Sequence, residues 1–168
     1  MASLKKITPC LWFDREAEEA ARFYVSIFRN ARIGDISHYG KEGFEIHGRA
    51  EGTVMAVGFE IEGQSFTALN GGPQFKFSPA ISFQIPCETQ EEIDYYWEKL
   101  GAGGEAHRCG WLMDKFGVSW QIFPAALPDM MRDADRAKAA RAMRAMLGMK
   151  KFDIDTLRAA YLGNEQPA

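Results

Sequence analysis

Few residues in this chain of 168 belong to the types that do covalent or metal chemistry. The three histidines, His38, His47 and His107, show no H-x-x-x-H spacing, which would place two imidazoles on one helix face. Cys10, Cys87 and Cys109 form no C-x-x-C pair. No sequence-local zinc site can be drawn, and reduced thiols are the simplest reading. His38-Tyr39 has the residue types for proton transfer, or is a surface pair. Cys109, beside Arg108 and near His107, is either an activated thiol or a buried inert one.

Gly101-Ala102-Gly103-Gly104 looks like a phosphate cradle, but such a loop works where it follows a strand and opens a helix. Here it follows a helical run ending at Leu100, and Gly101 reads as the helix stop. The remaining candidates bind rather than react. Trp12, Trp111 and Trp120 suit a flat apolar ligand or a sheet–helix core. Asn70, opening Asn70-Gly71-Gly72-Pro73, is a ligand hydrogen-bonding group or a turn residue, and Asp114 ahead of Lys115-Phe116-Gly117 is a turn cap.

The elements that must position these residues come in a repeat. Thr8 to Phe13 reads as extended, and a helix follows over Glu16 to Phe28. Its Ala20, Phe23, Tyr24, Ile27 and Phe28 form one apolar face, with Asp14 as the expected N-cap. The pattern returns. Pro9 and Phe13 recur as Pro79 and Phe83 at an offset of 70, whereas Glu18, Glu19, Ala20, Phe23, Tyr24 and Ile27 recur as Glu91, Glu92, Ile93, Tyr96, Trp97 and Leu100 at 73. A three-residue insertion before the second helix accounts for the difference. Strands are expected at Arg32–His38, Thr53–Ile61 and Gln64–Leu69, with Glu62-Gly63 as a tight hairpin joint. In the second half they are expected at Glu105–Arg108, Trp111–Asp114 and Val118–Phe123. Ser65-Phe66-Thr67 then parallels Ser119-Trp120-Gln121.

The reading is an α+β fold, a duplicated βαβββ module over residues 1–124 with repeats at about 5–73 and 78–124. Residues 125–168 form a C-terminal helical appendage, with helices expected at Asp135–Leu147 and Asp153–Leu162. Charge changes at the same boundary: 12 basic against 17 acidic residues up to Pro124, then 8 against 6. The formal net charge of −3 gives nucleic acid no electrostatic welcome. No apolar run approaches the ~20 residues that span a bilayer, and no signal peptide is visible, so a cytoplasmic protein without membrane or nucleic-acid partners is expected.

The duplicated βαβββ pattern resembles the vicinal oxygen chelate superfamily. More narrowly, Leu69–Pro73, Pro79–Phe83, Thr89–Glu92 and the run Cys109–Ile122 resemble its PhnB-like branch, whose members are often labelled 3-demethylubiquinone-9 3-methyltransferase. The resemblance implies two curved four-stranded sheets able to enclose a cavity, and a homodimer. In metal-dependent relatives the ligands sit on the first and fourth strands of each repeat. Carried over, those positions fall near Pro9, Thr67, Pro79 and Gln121, none of them a good ligand for a divalent ion. A Gln at such a strand position should point into the cavity and need a hydrogen-bonding partner, either a ligand or a neighbouring strand.

Three function classes follow. The first is a small-molecule-binding protein with a metal-free cavity and no cofactor, its lining drawn from Trp12, Thr67, Asn70, Trp111, Trp120 and Gln121. The second is a metal-dependent enzyme acting on a small oxygenated substrate, its metal recruited through His38 or His47. In the third, the C-terminal helices mediate assembly and the cavity is vestigial. A methyltransferase, as the branch label would have it, has the least support in these residues.

Overall fold

The computed structural model describes residues 7–164, which divide into two compact units at Phe77/Ser78. The first unit runs β1 (Cys10–Phe13), α1 (Ala17–Ile27), β2 (Ala31–His38), α2 (Phe44–His47), β3 (Val54–Ile61) and β4 (Gln64–Asn70). Its sheet has the order β1-β4-β3-β2, with β1 parallel to β4 and the other pairs antiparallel. The short helix α2 was not expected from the sequence. At the β3–β4 joint both Glu62 (φ 47°) and Gly63 (φ 76°) are left-handed, the geometry whose twist matches the flanking strands.

One face of this sheet packs on α1. Leu11, Phe13, Val57, Phe59, Phe66 and Ala68 are buried there with Ala20, Tyr24 and Ile27 of the helix. Tyr24 stacks on Phe59, and Phe59 on Phe66 at 5.1 Å between ring centres. Asp14, the expected N-cap of α1, does not cap it. Asp14 instead binds Arg49, and the Ala17 N–H donates to Asn70 Oδ1 at 2.8 Å. A residue 53 positions away along the chain therefore caps the helix.

The second unit runs β5 (Ser82–Cys87), α3 (Gln90–Gly101), β6 (Glu105–Ala106), β7 (Trp111–Met113) and β8 (Ser119–Pro124), in the order β5-β8-β7-β6. The fold is thus α+β, with two four-stranded sheets built from βαβββ-type modules, followed by helices. Strand β5 begins at Ser82, after the recurring Pro79. Ser78 to Ile81 turn back, the Ile81 N–H bonding to the Ser78 carbonyl, and Pro86 is tolerated inside β5 because this is an edge strand. Here the helix caps itself: Thr89 accepts from Glu92 N–H at 3.2 Å, while the Glu92 carboxylate accepts from Glu88 N–H.

Three helices complete this unit: α4 (Leu127–Arg132), which sequence periodicity missed, α5 (Arg136–Gly148) and α6 (Ile154–Leu162). They are bound to the module by backbone. Cys109 N–H donates to the Met149 carbonyl and Gly110 N–H to that of Lys150, each at 2.8 Å. A Cβ on Gly110 would lie 2.2 Å from the Ile122 carbonyl and 2.6 Å from the Phe152 ring, so only glycine fits. Gln90 of α3 donates to the Phe152 carbonyl and accepts from Ile154 N–H. On α5, Ala139 and Ala142 are buried, whereas Ala140, Met143 and Leu147 are exposed. No helix among the described residues is long and apolar enough to cross a membrane.

Candidate functional site

Each sheet has a second face, turned away from its helix, and strand alternation decides which side chains stand on it. In the first unit these include Cys10, Trp12, Thr67 and Leu69. Cys10 lies opposite Thr67 across the β1–β4 pair, and Trp12 opposite Leu69. Trp12 is held in place: its indole N–H donates to the Gly72 carbonyl at 2.9 Å, and Phe75 meets its ring edge-on at 5.0 Å. A Cβ on Gly71 would fall 2.3 Å from the indole, so the glycines of this loop let it lie against Trp12. Thr67 and Trp12 therefore share a face.

Asn70 does not join them. It is 6% exposed and faces α1, its amide N–H donating to the Val54 carbonyl at 3.0 Å while its Oδ1 caps Ala17. Its own carbonyl accepts from the Tyr39 hydroxyl. Asn70 also borders an open cleft of about 610 Å³ lined by Arg15, Glu18, Arg49, Thr53 and Val54 among others. The charges there are largely spent on one another. Arg49 Nη2 donates to both the carbonyl and the carboxylate of Asp14, and this bond holds the Asp14 carboxyl below its ordinary range.

In the second unit the face away from α3 carries one row across all four strands. Gln84 lies opposite Gln121, Gln121 opposite Trp111, and His107 follows at the end of β6, its backbone N–H donating to the Trp111 carbonyl. Gln121 Nε2 donates to Ser82 Oγ at 2.7 Å and its Oε1 accepts from Gln84 Nε2 at 3.4 Å. Both alternatives for Gln121 are therefore partly realised: it bonds a neighbouring strand, and the two bonds use only part of the capacity of two primary amides. Trp111 and Gln121 come together across the β7–β8 pair. Trp120 does not; it points the other way, 4% exposed, and donates its indole N–H to Asp114 Oδ2 at 2.8 Å. Asp114 is the expected turn cap, its Oδ1 also accepting from Phe116 and Val118 N–H.

Sequence reasoning missed Ser82, Gln84 and His107. The repeat was aligned on Pro9/Pro79, but the residues opposite Thr67 and Gln121 are Cys10 and Gln84. With Thr67 matched to Gln121, the first strands are offset by 74, close to the 73 of the helices, and the supposed insertion disappears. Two prolines had imitated a register that strand pairing does not use. Pairing within the sheet was the signal that could have corrected it.

The donors on these two faces do not suit a resident divalent cation. Thr67, Ser82, Gln84 and Gln121 are neutral and hold divalent ions weakly. Among the described residues no three His, Cys, Asp or Glu side chains gather closely enough to hold a metal ion. Nor is His47 available: Nδ1 accepts from Arg49 N–H at 3.0 Å, leaving Nε2 to donate to the Glu42 carbonyl, and the ring packs on Tyr39. His38 is exposed at the end of β2. Of the glycines at the end of α3, Gly104 has a packing explanation, since a Cβ there would lie 2.0 Å from the Met113 carbonyl, and Gly103 is left-handed at φ 75°. Cys87 is buried, and desolvation followed by the nearby Glu92 and Glu88 pushes its thiol up to about 12. Cys109 is half-buried with its Sγ directed at the Met146 carbonyl.

Known proteins agree with this architecture. The family described as 3-demethylubiquinone-9 3-methyltransferase matches residues 5–123. A solved PhnB protein from Bacillus cereus, a putative 3-demethylubiquinone-9 3-methyltransferase by name, is 39% identical over 70% of this chain and 98% of its own, with TM-score 0.62. Protein PA1353 from Pseudomonas aeruginosa shares the fold at 17% identity and TM-score 0.58, over 72% of this chain and 98% of its own. So does the fosfomycin resistance protein FosX from Listeria monocytogenes, solved with Mn(II) and sulfate, at 18% identity and TM-score 0.50 over 79% and 97%. No curated protein matches. The matched span covers both βαβββ modules and the motif run through Ile122, and on that ground the chain belongs to the PhnB-like family of the vicinal oxygen chelate superfamily.

Proposed function

We infer that this protein binds a small molecule on the strand faces turned away from the helices, through neutral hydrogen-bonding groups and aromatic rings and without a resident metal. One observation carries the reading: Gln84, Gln121 and Trp111 form a continuous row on one sheet face, where amide and indole stand in place of imidazole or carboxylate. Binding sites of this kind combine an apolar wall with a few placed polar groups. The methyltransferase description is a family name, and Gly104, in the glycine run that would be its nearest sequence support, is explained by packing against β7. The proposal includes a homodimer; exposed Met143, Leu147 and Leu162 on the C-terminal helices support assembly. Sedimentation equilibrium tests that part.

The test of the metal-free reading is calorimetric titration of Zn²⁺, Ni²⁺, Mn²⁺ and Fe²⁺ into chelator-treated protein. No stoichiometric binding is expected. Micromolar or tighter binding that Gln121→Ala abolishes would overturn the reading and make the metal-dependent class the working one.

A further inference from the structure

The side chains of β5 and β8 form a directed relay: Gln84 Nε2 donates to Gln121 Oε1, and Gln121 Nε2 donates to Ser82 Oγ. Each bond uses one donor and one acceptor, which leaves hydrogen-bonding capacity at both ends of the chain. The Ser82 hydroxyl, accepting from Gln121, has its hydrogen to give. The Gln84 carbonyl oxygen has its lone pairs to offer. Neither has a protein partner among the described residues. Turning both amides over reverses the relay and still leaves a donor and an acceptor at its ends. Hydrogen bonds in series polarise one another, so both ends are better partners than an isolated serine or glutamine.

Beside this relay stands the half-buried Trp111 indole, directly across from Gln121. The row contains no ionised group until its far edge, where His107 lies 3.9 Å from the Glu105 carboxylate. An anionic ligand would lose hydration with no guanidinium or ammonium in the row to replace it. A purely apolar one would leave the relay's ends unsatisfied.

We propose that the β5–β8 relay and Trp111 select a flat, uncharged heterocycle carrying a cyclic amide, whose N–H and C=O complete the two ends of the relay while its ring lies against the indole. This names the ligand class of the site proposed above and rests on that reading.

The test uses the full chain and three probes: carbostyril, a flat bicyclic lactam; N-methylcarbostyril, which lacks the donor; and quinaldate, of similar shape but ionised. Binding is followed by the side-chain amide NMR signals of Gln84 and Gln121 and the indole N–H of Trp111. Carbostyril is expected to shift all three and to bind about tenfold more tightly than either other probe, the size of one good hydrogen bond. Gln84→Leu, an exposed substitution that leaves the core intact, should remove that preference while Trp111 still responds. Equal or tighter binding of N-methylcarbostyril or quinaldate with Trp111 shifted would overturn the lactam class yet keep a ligand site on this face. No response of Trp111 to any probe would overturn the site itself.

Discussion

The two modules repeat one scaffold and secure it differently. In the first, the helix start is held from the sheet: Asn70, last residue of β4 and paired with Phe13, caps Ala17. In the second, the corresponding last residue of β8 is Pro124, paired with Cys87 and unable to offer a side-chain oxygen. There α3 is capped by its own Thr89, and Asp114 binds the β7–β8 turn and Trp120 together. In the first module β2 and β3 have eight residues each, where in the second β6 has two and β7 three. The second adds helices fastened by the backbone of Met149 and Lys150. The repeated apolar faces keep the layer architecture, and once they are in place each module is free to solve its exposed N–H groups with whichever polar residue is at hand.

The comparison breaks hardest at Asp114. It is 1% exposed and accepts two backbone N–H groups and the Trp120 indole. Asp114→Ala should cost about 3 kcal/mol or more, since three donors lose their acceptor inside the protein. Urea unfolding measures it, and a loss under about 1 kcal/mol would show that water replaces the carboxylate. A sharper comparison is cap against cap. Asn70→Ala removes both the Ala17 cap and the bond to Val54, and should cost about 2 kcal/mol. Thr89→Ala removes one exposed cap and should cost about 1 kcal/mol. Equal costs in the same unfolding assay would mean that capping from the sheet contributes nothing extra.

At neutral pH the smallest effect belongs to Cys87. Its pKa is raised from the ordinary 9.0 to about 12, chiefly by desolvation. Between those values the folded protein holds a proton that the unfolded chain releases. The stabilisation is therefore complete below about pH 9 and is lost as pH rises toward 12. Cys87→Ala should flatten the alkaline limb of a stability-versus-pH curve and leave its slope between pH 6 and 8 unchanged. A thiol reagent at pH 8 should modify Cys87 in folded protein no faster than global unfolding allows.

The sequence by itself determined the modules. Helical spacing at Ala20, Tyr24 and Ile27, and at Ile93 and Leu100, marks faces that are buried, because period and hydrophobicity are local properties that any sheet-backed helix must satisfy. The Glu62-Gly63 joint and the Asp114 turn were legible for the same reason: both are short-range backbone problems with few solutions. Register was not. The alternation of Leu11 and Phe13 says which side chains meet the helix, but nothing within β1 or β5 says which residues stand opposite Thr67 and Gln121, since an even slip changes every cross-strand neighbour and keeps each side chain on its face. Asn70 looked like a ligand group and became a cap for a helix 53 residues distant, and Trp120 looked like a lining residue and became core. The relay of Ser82, Gln121 and Gln84 joins residues separated by 39 and 37 positions, a juxtaposition made only by parallel pairing of β5 with β8. Tertiary structure decided the candidate site because its groups meet across strands, where chain order carries no distance information.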